Sequence, residues 1–132
     1  MHVVLFVDDE PAVLEALRRS LWRAPYEVLT AGSALDGLRL LAERVVNVVV
    51  SDERMPGLSG SEFLERVRAR YPEVVRIMLT GETGLPATVR AIERTAVYRF
   101  LNKPLSPAAL RDTLARAVHM QEIAREASLV PR

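Results

Sequence analysis

The stretch that decides the fold is Val3-Val4-Leu5-Phe6-Val7-Asp8-Asp9-Glu10-Pro11. Its five apolar residues run without a break, as in a strand buried on both faces of a parallel sheet. Acidic residues follow at once, and Pro11 suits the first turn of a helix, where a missing N–H removes no bond. Val13, Leu14, Leu17 and Leu21 then recur at helical spacing. The stretch is therefore a βα unit with carboxylates at its turn.

The rest of the chain repeats that unit. Residues 26–31 make a weaker second strand. Ser33 caps the next helix, with Asp36 three residues on and Leu35, Leu38 and Leu41 expected to face the core. Residues 45–50, rich in valine, read as the third strand. The turn-prone run Met55-Pro56-Gly57-Leu58-Ser59-Gly60 leads to a helix carrying Phe63, Leu64 and Val67, which stops before Pro72. Residues 74–79 are the expected fourth strand, and residues 86–94 a short helix presenting Val89 and Ile92. Residues 97–101 are the fifth strand. Ser106-Pro107 opens a last helix with Leu110, Leu114 and Val118 on one face. Five strands alternating with five helices imply an α/β fold, an open doubly wound parallel sheet. In such sheets ligands bind outside the carboxyl ends of the strands.

Composition narrows the function. The chain has 132 residues, 49% hydrophobic and 27% charged, the balance of one globular domain. Eighteen basic residues face seventeen acidic ones, so no overall field favours nucleic acid or an anionic membrane. Arg66, Arg68 and Arg70 read as solvated surface. The absence of cysteine excludes disulfides and thiolate chemistry and suits a cytoplasmic protein. The apolar start is too short for a signal peptide, and nothing approaches the roughly 20 residues of a membrane span. Leu129-Val130-Pro131-Arg132 reads as the remnant of a protease-cleaved tag, with Ala127-Ser128 as cloning scar. The expected domain is thus residues 1–126, with residues 127–132 foreign and an output domain expected beyond them in the natural protein.

The strand ends gather chemistry. Asp8 and Asp9 follow the first strand, Asp52 the third, Thr80 the fourth, and Asn102-Lys103-Pro104 the fifth. Singly, each has a bland reading as a cap or turn residue. Together they place three carboxylates, a hydroxyl and an ammonium on one rim. Like charges so placed call for a cation, and an all-oxygen donor set selects Mg²⁺, with Mn²⁺ as the alternative. His2 and His119 are distant in sequence and read as surface. The chemistry implied is phosphoryl transfer to a carboxylate. Lys103 is the single lysine among seventeen arginines. One lysine could survive a bias towards arginine by chance, but a compact ammonium at the rim suits a phosphoryl oxygen. No Walker loop, nucleophile elbow or zinc motif competes.

Four pieces of the chain carry a family resemblance: Val7-Asp8-Asp9-Glu10, Ser51-Asp52-Glu53-Arg54-Met55-Pro56-Gly57, Leu79-Thr80-Gly81 and Phe100-Leu101-Asn102-Lys103-Pro104. Their order and spacing resemble the receiver domains of two-component response regulators over essentially residues 1–120. The resemblance implies a flavodoxin-like sheet in the order 2-1-3-4-5. It implies that Asp52 accepts a phosphoryl group from a histidine kinase or phosphotransfer protein. Mg²⁺ would be held by Asp9, Asp52 and the backbone carbonyl of Arg54, with Asp8 acting directly or through water. Lys103 would neutralise the acceptor and then a phosphoryl oxygen. Thr80 would close on the phosphoryl group together with a switch aromatic, here Phe100, which lacks the hydroxyl of a tyrosine. Tyr98 is two positions out of register.

By the same resemblance the fifth strand and last two helices form a partner-binding or homodimer face, and Lys103-Pro104 is expected to be a cis peptide. Arg54 and Glu82 should flank the mouth of the site with opposite charges. The segment around the fifth strand is similar to receivers that precede enzymatic output domains. Two other readings stay open: a degenerate receiver used only for docking, and a phosphatase or small-molecule binder on a similar sheet.

Overall fold

A computed structural model of the chain describes residues 1–81, 97–103 and 105–129. The elements in order are β1 (His2–Val7), α1 (Pro11–Ser20), β2 (Tyr26–Ala31), α2 (Ala34–Glu43), β3 (Val48–Asp52), α3 (Gly60–Arg70), β4 (Val75–Thr80), β5 (Arg99–Asn102) and α4 (Pro107–Leu129). The expected helix over residues 86–94, Glu82, and the Lys103–Pro104 peptide lie outside the described residues. Four of the five expected helices are therefore among the described ones.

The strands form one parallel sheet in the order β2-β1-β3-β4-β5. Alternation of side chains sorts the core into two layers. Val3, Leu5 and Val7 of β1, Val49 of β3 and Met78 of β4 pack with Leu41 of α2 and Phe63, Leu64 and Val67 of α3. Val4 and Phe6, Val48 and Val50, and Ile77 and Leu79 point the other way, to Leu17 of α1 and Leu110, Leu114 and Val118 of α4. Helices thus cover both faces, which is why the strands read as continuous apolar runs rather than alternating ones.

One helix position and the bounds of three strands need correction. Leu35 does not face the core; it is 63% exposed, while Ala34, Gly37 and Leu41 are buried. At 100° per residue, positions 34, 37, 38 and 41 share a face, and Leu35 sits about a quarter turn off it. The third strand starts and ends later than residues 45–50. Val45 is 79% exposed, and pairing continues through Ser51 and Asp52, opposite Met78 and Leu79. Asp52 is therefore the last residue of its strand rather than the second after it. The fourth and fifth strands are shifted the same way, to end on Thr80 and Asn102.

Helix starts follow capping chemistry. Ser33 accepts from the Asp36 N–H at the head of α2. Ser59 and Glu62 form a reciprocal capping box at α3. At α4 the Ser106 hydroxyl accepts from the Ala109 N–H. Among the described residues, no helix is long and apolar enough to cross a membrane.

Candidate functional site

The carboxyl ends of β1, β3, β4 and β5 meet at one edge of the sheet, and each contributes a polar side chain. Asp8 stands just past β1. Its N–H continues the sheet to Ala31 O, and its Oδ1 accepts from the Glu10 N–H at 2.9 Å. That local turn stands in for a side-chain cap at α1, whose N-cap residue Glu10 supplies none. It fixes the carboxylate of Asp8, which is 1% exposed. Asp52, also buried, ends β3.

Lys103 joins the two. Its Nζ lies 2.9 Å from Asp52 Oδ1 and 3.3 Å from Asp8 Oδ2. The Lys103 N–H donates to Thr80 O at 2.9 Å, so the end of β4 positions the lysine backbone. Burial would lower the Lys103 ammonium, but its hydrogen bond to Asp52 and the charges of Asp52 and Asp8 outweigh this and raise it. Burial raises the Asp52 carboxyl above its usual range; Lys103 opposes the rise, and the charges of Asp8 and Asp9 add to it.

The remaining residues form the rim around this pair. Asp9 and Glu10 are exposed, and one carboxylate oxygen from each lies within 4.8 Å of one from Asp8. Thr80 is buried and donates its hydroxyl to Asn102 Oδ1 at 3.2 Å. Arg54 is exposed in the loop after β3. Phe100 is half-buried opposite Met78 and packs on the α2–α3 side, whereas Tyr98 packs on the other layer and cannot stand in for it.

The loop from β3 to α3 is drawn tightly over the end of β3 at Asp52. A Cβ at Gly60 would lie 2.1 Å from the backbone oxygen of Asp52, a contact no side chain survives. Gly57 turns the loop with φ 79°, in the left-handed region. Cavities of about 590 and 810 Å³ lie at the opposite pole, around Asn47 and Gln121, and none of the rim residues lines them.

The donor set fits a hard divalent cation. Every candidate ligand is an oxygen, and the Asp8, Asp9 and Glu10 carboxylates converge with Asp9 and Glu10 open to solvent. His2 pairs with Glu122 at 2.8 Å, on α4. Three participants received no role of their own from the sequence. Glu10 joins the carboxylate cluster, Asn102 holds the Thr80 hydroxyl, and Ser61 donates to Glu53, the residue after Asp52, at 2.7 Å. Glu10 and Asn102 carry a signal in the sequence, their adjacency to Asp8-Asp9 and to Lys103, whereas Ser61 carries none.

The family model of the response regulator receiver domain matches residues 4–115. The chain is 42% identical over 118 residues to the hydrogenase transcriptional regulatory protein HoxA of Cupriavidus necator, covering 89% of this chain and 24% of that protein. It is 35% identical over 123 residues to the C4-dicarboxylate transport transcriptional regulatory protein DctD of Pseudomonas aeruginosa, covering 93% and 26%. In structure it is similar to the signal receiver domain of an HD domain-containing protein from Pseudomonas fluorescens Pf-5, with a TM-score of 0.89, 34% identity and coverage of 92% and 97%. This chain belongs to the response regulator receiver domains of two-component signal transduction. It spans about a quarter of the length of the curated relatives it matches.

Proposed function

We propose that Asp52 is the phospho-acceptor and that a histidine kinase or phosphotransfer protein is the donor. The observation that carries this reading is the Lys103 ammonium shared by the buried carboxylates of Asp52 and Asp8 at the ends of three strands. Phosphorylation of a receiver charges a buried carboxylate further, and a fixed cation beside it is what makes that tolerable.

In the step proposed, an Asp52 carboxylate oxygen attacks the phosphorus of a phosphohistidine. The P–O bond forms as the P–N bond breaks, and the imidazole leaves with the electron pair and takes a proton. Lys103 then exchanges part of its contact with the carboxylate for a phosphoryl oxygen. Asp9, Asp52 and the Arg54 carbonyl would hold Mg²⁺ (or Mn²⁺), with Asp8 direct or through water. The ion would neutralise charge on the transferring phosphoryl group. Thr80 and Phe100 supply the response. The hydroxyl leaves Asn102 for the new phosphoryl oxygens, and the aromatic ring follows inward against the α2–α3 layer.

The consequence is a changed face at β5 and α4, through which the domain binds a partner or a second copy of itself. The longer relatives support a C-terminal output domain, and the transcriptional regulators among them favour control of transcription, with the receiver itself making no nucleic-acid contact. The natural setting of such a relay is the cytoplasm. Titration with beryllofluoride and Mg²⁺, followed by NMR, tests the site. Saturable shifts at Asp52, Thr80 and Lys103 that vanish in Asp52→Asn support it; an unresponsive domain reduces the chain to a docking module.

A further inference from the structure

Glu53, directly after the acceptor, is held at three points. Its N–H donates to Leu79 O at 3.2 Å, and its carbonyl accepts from the Gly60 N–H at 2.9 Å. Its Oε2 accepts from the Ser61 hydroxyl at 2.7 Å. The first bond extends the β3–β4 ladder, and the second closes the loop of residues 54–59 into a ring. The third is a short bond from a buried side chain, and helix capping does not explain it, because Ser59 and Glu62 already form the capping box of α3.

A carboxylate at this position is otherwise a liability. Asp8, Asp9 and Asp52 already repel one another, with Glu10 beside the first two, and a further free carboxylate next to them would add to the repulsion and compete for any cation. Bound to Ser61, it is drawn towards α3 and turned into an anchor. What lies between the anchored Glu53 and the ring closure at Gly60 is Arg54, whose carbonyl the proposed function gives to the metal.

We propose that Glu53 and Ser61 form a tether that positions the Arg54 carbonyl as a metal ligand. Neither residue touches the ion; both are positioning residues, and the inference rests on the Mg²⁺ reading above. A charge-assisted bond of this length restrains the loop in the metal-free domain, so the carbonyl need not be ordered when the ion binds.

The test is Mg²⁺ titration of the 132-residue chain by NMR, with thermal unfolding measured without metal. Ser61→Ala and Glu53→Ala should each weaken Mg²⁺ binding by roughly three- to tenfold, as expected for one lost restraining hydrogen bond. The double variant should be no weaker than the worse single one. Glu53→Gln, whose amide oxygen still accepts from Ser61, should stay within about twofold of wild type. Wild-type Mg²⁺ affinity in Ser61→Ala, even with a lowered Tm, would show a structural bond only and overturn the tether. Equal losses in Glu53→Gln and Glu53→Ala would overturn it too, because charge rather than anchoring would then matter. If wild type binds no Mg²⁺ in a manner dependent on Asp9 and Asp52, the metal reading itself fails, separately from the tether.

Discussion

Thr80 donates its hydroxyl to Asn102 Oδ1 at 3.2 Å, across the β4–β5 ladder where the two residues are register partners. In the proposed switch that bond must break before the hydroxyl can meet a phosphoryl oxygen, so Asn102 stabilises the resting arrangement. Asn102→Ala should raise affinity for beryllofluoride by roughly two- to fivefold, the scale of one half-exposed hydrogen bond. In a Thr80→Val background the same change should have no effect. Lower affinity in Asn102→Ala would mean that the residue supports the closed state instead. NMR suits this better than intrinsic fluorescence, since Trp22 is 83% exposed beyond the far end of α1.

Asp9→Ala should separate metal binding from folding. The Asp8, Asp9 and Glu10 carboxylates lie within 4.8 Å of one another, so removing one relieves repulsion in the metal-free domain. Mg²⁺ affinity should fall by about tenfold or more, while Tm without metal rises by roughly 1–4 °C. Unchanged affinity would place the ion elsewhere.

The raised Asp52 carboxyl makes a prediction about pH. Burial is its first cause, and a carboxyl raised by folding favours its protonated form in the native state. Its contribution to stability is therefore present below the unfolded value near ~4 and lost as pH rises through the higher folded value. At neutral pH the ionised Asp52 weakens the metal-free fold. Asp52→Asn should raise Tm at pH 7 by roughly 2–5 °C, and the gain should shrink as pH falls through the folded value. Lys103, raised by the ionised Asp52 and Asp8, keeps its contribution while those carboxylates stay charged and loses it on the alkaline side as pH rises through its own raised value. A gain that grew towards acid would contradict the assignment.

The sequence disclosed the sheet because its strands are buried on both faces and so appear as unbroken runs such as Val3-Val4-Leu5-Phe6-Val7. It disclosed the rim for a related reason, since each run ends on a polar residue. Strand ends were harder to read. Ser51 and Asp52 look like a loop by composition, yet ladder bonds hold them in β3. Leu35 was misplaced because three leucines at near-helical spacing outweighed the small residues Ala34 and Gly37, which are the ones that let α2 approach the core. The bonds of Asn102 and Ser61 could not be found this way, because their partners Thr80 and Glu53 are brought to them by folding.

Arg54 and Glu82, expected from the family resemblance to flank the mouth of the site, carry opposite charges two residues beyond Asp52 and Thr80 respectively. A pair across the entrance would narrow the path of an attacking water. Exposed pairs contribute only about 0–1 kcal/mol, but each ~1.4 kcal/mol is tenfold in rate. Arg54→Ala and Glu82→Ala should each speed autodephosphorylation by up to about fivefold, and the double variant should be no faster than the quicker single. Additive effects would show that the two residues do not act as a gate.

The most direct measurement is acid-labile phosphate incorporation from a small phosphodonor such as acetyl phosphate, with Mg²⁺, followed by mapping of the modified residue. One phosphoryl group should be found on Asp52. Asp52→Asn should lose the label while keeping the wild-type fold by NMR, and omission of Mg²⁺ should reduce it at least tenfold. Label retained at the wild-type rate in Asp52→Asn, or mapped to another residue, would contradict the account.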